Sequence, residues 1–176
     1  MKITIVKAPT PEDLMLFKRC VWVTTGKIEA PGKGPSPKLL RKVLAARHSP
    51  IRVLNFAFLL EGIPSNISTH LARHVHATPF IASLRNDRQD RMDGDLAPRN
   101  TPVDMIYYVN AEELMVIANK RLCLLAAEKT REAVQGMCDL AETVMPELRG
   151  LLVPMCEYGR CHEIHPCGRY DNGGTA

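Results

Sequence analysis

The side chains best suited to chemistry crowd into one stretch, "THLARHVHATPFIASLRN", residues 69 to 86. At helical spacing His70, Arg73 and His74 would fall on neighbouring positions of one face, near a helix C-terminus. Ser83 and Arg85, two apart on an extended segment, would point the same way. Together they offer two guanidiniums, a hydroxyl and imidazoles to one anionic ligand. An arginine fork suits phosphate because it binds two oxygens at once. The plain alternative is a solvated basic surface with a histidine placed to suit the helix macrodipole. His74 and His76 could also pair on a metal, but no acid or cysteine stands beside them.

A second cluster lies near the C-terminus. "CEYGRCHEIHPC" places Cys156, Cys161 and Cys167 in a C-x4-C-x5-C pattern, with His162 and His165 between them. This only partly fits zinc spacing, which is usually tighter. Cys20 or one of the histidines would have to supply a fourth ligand. Reduced structural thiols, a disulfide or a redox role are the other readings. Arg160 and Arg169 nearby would favour thiolates. Cys123 and Cys138 sit in helical patterns and read as core packing.

The chain has 176 residues, 45% of them hydrophobic and 24% charged. That is ordinary globular composition and enough for a single core. We expect one domain over residues 1–150 and a Cys/His-rich tail over 151–176. The formal net charge of +4 is too small to argue for nucleic acid, although Arg73, Arg85, Arg88, Arg91 and Arg99 are concentrated. No apolar run is long enough to span a membrane. The N-terminus lacks the features of a signal peptide, so a cytoplasmic protein with mostly reduced cysteines is expected.

The elements follow from local signals. "KITIVKA" alternates as an edge or half-buried strand. Thr10, Pro11 and the following acids open a helix. Residues 24–38 read as a Gly/Pro-rich loop, and Ser36 with Pro37 opens a second helix stopped by Pro50. "IRVLNFAFLLEG" is a strand, a helix begins near Ser65, and "PFIASLR" is extended. Residues 86–104 read as a charged surface loop. Asn110 with Glu113 forms a capping box for a long helical region, one helix or two joined near Glu128, ending at Pro146. Strands and helices alternate without a regular βαβ period, so the fold class is α+β. Neither a dinucleotide fingerprint nor a P-loop is present. Asp90, Asp93 and Asp95 do not keep the EF-hand register.

"RHVHATPFIASLRN" resembles the signature of the flavin-dependent thymidylate synthases, R-H-R-x-x-S-x-N-x-x-S-x-R-Y. Arg73, His74, Ser83 and Arg85 match it, and Thr78 stands for the first Ser. Val75, Phe80 and Asn86 replace Arg, Asn and Tyr. Upstream, "ARHSPI" is similar to the family's His and Ser/Thr-Pro segment. Downstream, "RLCLLAAEKTR" keeps Arg121, Ala126 and Arg131 of the family's L-R-x4-A-Q-x-E-I-R helix, with Ala127 and Lys129 replacing Gln and Glu. The resemblance is collinear from about residue 40 to 145.

It implies an antiparallel or mixed sheet packed with long helices, assembled as a homotetramer with active sites between subunits. It implies methylation of dUMP to dTMP with FAD as cofactor, methylenetetrahydrofolate as carbon donor and NADPH as reductant. It places Arg73, His74, His48 and Arg121 on the flavin. It places His70, Ser83, Arg85 and Arg131 on the nucleotide, with Ser83, Arg85 and Arg131 as catalytic candidates. The signature departures leave two alternatives: hydroxymethylation or another pyrimidine substrate, and a non-catalytic nucleotide-binding module with a metal-binding tail. Few aromatics flank the basic cluster, so single-stranded nucleic acid is not the expected partner.

Overall fold

In the computed structural model, which describes residues 1–29, 32–85, 87, 94–159, 161 and 163–169, four antiparallel strands form one sheet in the order β1-β2-β4-β3. The strands are β1 (Lys2–Lys7), β2 (Asn55–Pro64), β3 (Ala77–Ile81) and β4 (Pro102–Asn110). Five α-helices accompany them: α1 (Pro11–Thr24), α2 (Pro37–Ala45), α3 (Ser65–Ala72), α4 (Ala111–Arg121) and α5 (Glu128–Val144). This is the expected α+β class. Asn86, Arg88, Asp90, Arg91, Asp93, Arg160 and His162 lie outside the described residues.

The helix starts form as their sequences dictate. Thr10 Oγ1 accepts from Asp13 N, and Thr10 N donates to Asp13 Oδ2, closing a capping box. Ser36 Oγ accepts from Leu39 N, with Pro37 at the first helical position. α2 ends in a Schellman motif: His48 N donates to Val43 O and Arg47 N to Leu44 O. The left-handed position that glycine usually fills is occupied by Arg47, at φ 52°. Its guanidinium repays that strain by donating to Asn119 Oδ1 at 2.7 Å and covering the Tyr158 ring at 5.0 Å. That geometry sets the direction in which the chain enters His48.

Two elements differ from the sequence expectation. The strand expected from Ile51 begins at Asn55, after a 3-10 turn over Ser49–Val53. β4, in the middle of the sheet, was not expected at all. The long helical region follows the two-helix reading: α4 ends at Arg121 and α5 begins at Glu128, with a loop over 122–127 between them. Arg131 holds the intervening loop, donating from Nη1 to Leu124 O and Ala126 O.

The core lies on one face of the sheet. Phe56, Phe58 and Leu60 of β2 and Met105, Tyr107 and Val109 of β4 bury against α3, α4 and α5. Phe56 and Phe58 stack with ring centroids 6.1 Å apart. Leu151 and Leu152 join the same core, so packing continues past residue 150. On the opposite face Phe80, Ile106 and Tyr108 are exposed, and Phe80 pairs in register with Ile106.

Candidate active site

α3 runs out at Ala72, with Arg73 as its C-cap, and His74 N donates to Leu71 O one step beyond the helix. His70 and His74 therefore leave the last turn from different backbone settings. α4 carries Glu113 near its start and Arg121 at its end, and packs where it meets both histidines. Asn110 Oδ1 accepts from Glu113 N, as the capping signal requires. The Glu113 carboxylate does not close the capping box. It faces His74 Nδ1 at 3.2 Å, with the two side chains only 10% and 7% exposed.

A relay follows from these bonds. Arg121 Nε donates to His74 Nε2 at 3.0 Å, and Arg121 Nη2 donates to His70 O at 3.1 Å. A guanidinium can only donate, so His74 Nε2 is the accepting nitrogen. The ring proton is then on Nδ1 and is donated to Glu113. Burial, and next the Arg121 charge, push the His74 pKa down to about 4, which keeps the imidazole neutral. Burial raises the Glu113 pKa. His70 Nδ1 lies 3.1 Å from Thr130 Oγ1, tying α3 to the first turn of α5. Burial lowers the His70 pKa, helped by Arg121, Arg73 and Arg99. Tyr107 donates its buried hydroxyl to Leu71 O and supports the same turn from the sheet.

This arrangement has a pH signature. Above pH 6.5 His74 is neutral whether the chain is folded or unfolded. Between pH 6.5 and about 4 the unfolded chain takes up a proton that folded His74 refuses, so stability falls as pH falls. Glu113, with its raised pKa, acts in the opposite sense. Urea unfolding of the wild type and of His74→Gln across this window isolates the histidine: the variant should lose the acid-side decline. Parallel pH profiles for the two proteins would contradict a buried neutral His74.

His74 and Arg121 also line a pocket of about 330 Å3 with Lys120, Cys123, Leu125, Ala126 and Glu163. Arg73 is exposed beside it in sequence. The other expected site residues make their contacts elsewhere. Ser83 and Arg85 lie past the end of β3, where Arg85 N donates to Ser83 Oγ. Both residues follow the last paired residue of β3, Ile81. Arg85 forks onto Asp87, with Nε and Nη2 each 3.0 Å from a carboxylate oxygen. Arg131 serves the α4–α5 loop. His48 lines a separate pocket of about 300 Å3 with Val21, Thr24 and Val43. Cys20 lines a third, apolar one on α1 with Leu16, Val23 and Val53.

No protein-family model and no curated protein matches the sequence. Solved structures do. The flavin-dependent thymidylate synthase ThyX from Helicobacter pylori, complexed with FAD and dUMP, superposes with a TM-score of 0.71 at 16% identity. The match covers 87% of this chain and 100% of that one. The fold is that of the flavin-dependent thymidylate synthases. A UMP/dUMP methylase, PolB from Streptomyces cacaoi, bound with 5-Br dUMP, shares this thymidylate synthase fold with a TM-score of 0.66 at 14% identity, over 85% of this chain and 93% of that one.

Sequence reasoning missed Glu113 as a site residue, because its role depends on a contact 39 positions away in the chain. Thr130 was missed as well; it is buried with its hydroxyl against His70. Neither carries a local signal beyond its helix-start position. Val75 and Phe80, which stand where the thymidylate synthase signature has Arg and Asn, are 82% and 61% exposed.

Proposed function

We propose that the protein is a flavin-dependent enzyme that adds a one-carbon group to the pyrimidine of dUMP or a close relative. The observation that carries this reading is a coincidence of independent signals. The segment that resembles the family's signature lies, in the family's order, in a fold that superposes on proteins solved with FAD and dUMP. In this reading methylenetetrahydrofolate donates the carbon and NADPH is the reductant, giving dTMP.

The residues present suit such a cofactor. Arg73, Lys120 and Arg121 offer positive charge for a diphosphate, and Arg121 Nη1 makes no bond among the described residues. Bound FAD would supply the hydride chemistry of the reaction. His74 acts on the flavin side through Arg121, because both of its ring nitrogens are engaged. Its neutral state keeps a second positive charge from crowding the guanidinium. His48 completes the flavin pocket and His70 contacts the nucleotide. Ser83 and Arg85 hold the nucleotide phosphate, with Arg85 exchanging Asp87 for the ligand. Arg131 lies toward the base or phosphate, where a guanidinium stabilises charge that builds on the uracil carbonyl oxygens.

Within one chain these groups are divided between the α3–α4 relay, the segment after β3 and the α2 end. A homotetramer with sites between subunits would reunite them. The exposed Phe80, Ile106 and Tyr108 on the outer sheet face suit burial in such an assembly. The reading is checked by titrating purified protein with FAD. Saturable uptake, tightened by dUMP, is expected. A colourless protein that leaves FAD absorbance and fluorescence unchanged would sink it.

A further inference from the structure

We propose that Cys123, Cys156, Cys161 and Cys167 bind one zinc ion as a tetrathiolate, tying the C-terminal segment to the loop between α4 and α5. The sequence alone pointed to Cys20 or a histidine as the fourth ligand. The structure puts Cys20 on α1 in an apolar pocket and brings a different cysteine to the tail. Asn119, near the end of α4, donates from Nδ2 to Val153 O at 2.6 Å. That bond lays the turn Met155–Tyr158, which contains Cys156, against α4. Tyr158 is held in turn by Arg47 above its ring and by its own bond to Leu151 O. Glu163, two residues after Cys161, shares a pocket with Cys123. Arg169, two residues after Cys167, reaches back to Glu157 at 3.8 Å. Each contact lies within a few residues of a thiol, and together they fold the three tail cysteines toward Cys123.

The segment needs such a tie. Residues 163–169 are all exposed, so no buried side chain holds them. Short stretches without a core are commonly ordered by a metal, whose binding energy is then folding energy. All four thiols are free. Cys161, Cys123 and Cys167 all lie within electrostatic reach of Cys156. A tetrathiolate zinc centre carries net negative charge, and Arg169, two residues after Cys167, adds a positive charge on that side. Among the described residues no group of three His, Cys, Asp or Glu side chains is already arranged to hold a metal ion. Binding must therefore draw the thiols together and release their protons to solvent, with no change of oxidation state.

The test uses the full chain purified under reducing conditions without chelator. Elemental analysis should find about one zinc per chain. Cobalt exchanged into the site should show the intense visible bands of tetrahedral thiolate ligation. Cys123→Ala and Cys161→Ala should each weaken metal binding at least ~10-fold, and Cys20→Ala should leave it unchanged. Cobalt titration reads each variant directly, and the place of Cys161 outside the hydrophobic core keeps Cys161→Ala foldable. Three results would overturn the proposal: less than about 0.2 metal per chain, a Cys123→Ala protein with an unaltered cobalt spectrum, or an intact mass showing disulfides in place of metal. The site does not rest on the flavin reading: a colourless protein with one zinc would keep this proposal and remove the other.

Discussion

Glu113→Ala is expected to lower the free energy of unfolding by about 3 kcal/mol, the scale for leaving buried charged and polar groups without their partner. The carboxylate is the negative end of a relay whose positive end is Arg121, with neutral His74 between them. Removing it strands the His74 Nδ1–H and leaves the half-buried guanidinium without its counter-charge. Glu113→Gln keeps an acceptor for Nδ1–H and should cost less than about 1.5 kcal/mol. Under the proposed function the two variants should also separate in flavin affinity. The alanine variant frees Arg121 to reorient and should weaken FAD binding more than tenfold, and the glutamine variant should stay near wild type. Urea midpoints and FAD titrations on the same samples give both readouts. Equal stability of the two variants would mean that the hydrogen bond to His74 carries no weight.

Arg85→Ala should behave in the opposite way. Its present partner, Asp87, is an exposed carboxylate, and an exposed pair of this kind is worth ~0–1 kcal/mol. Stability should hardly move. If Arg85 turns its fork to the nucleotide phosphate, kcat/KM for dUMP should fall roughly 100-fold or more, the size of a lost charge-assisted bidentate contact. Arg85→Lys keeps the charge and loses the fork, so it should recover only part of that loss. An alanine variant with unchanged kcat/KM would remove Arg85 from the site.

Much of the fold was legible where local chemistry decides it. Thr10, Ser36 and Asn110 cap the helices their sequences announced. β4 was hidden for a physical reason. Val103, Met105, Tyr107 and Val109 point into the core, but Ile106 and Tyr108 on the other face are also apolar, which blurs the period of two. The sequence left open whether α4 and α5 are one helix or two joined near Glu128. "LCLLAA" contains only residues that accept a helix, and the loop is fixed by Arg131 bonding back to its carbonyls. Pro79 did not prevent β3 because that strand lies at the sheet edge.

The candidate site was legible in its residue types and not in its wiring. The basic cluster named His70, Arg73, His74, Ser83 and Arg85, and the signature resemblance added Arg121 and Arg131. That His74 is neutral, that Arg121 is spoken for on two sides, and that Glu113 anchors the whole depend on α4 packing against the end of α3. The same holds for Cys123, which reads as a core residue in sequence and comes within electrostatic reach of Cys156 only through the fold.

The most direct measurement of the central claim is the mass of the nucleotide product. The protein is incubated with FAD, NADPH, methylenetetrahydrofolate and dUMP. The proposed function predicts a nucleotide heavier by one CH2 group, with the label of a carbon-labelled folate carried onto the pyrimidine ring. A hydroxymethyl product would keep the one-carbon chemistry and change its reductive step. Recovery of unchanged dUMP from folded, flavin-loaded protein would contradict the account.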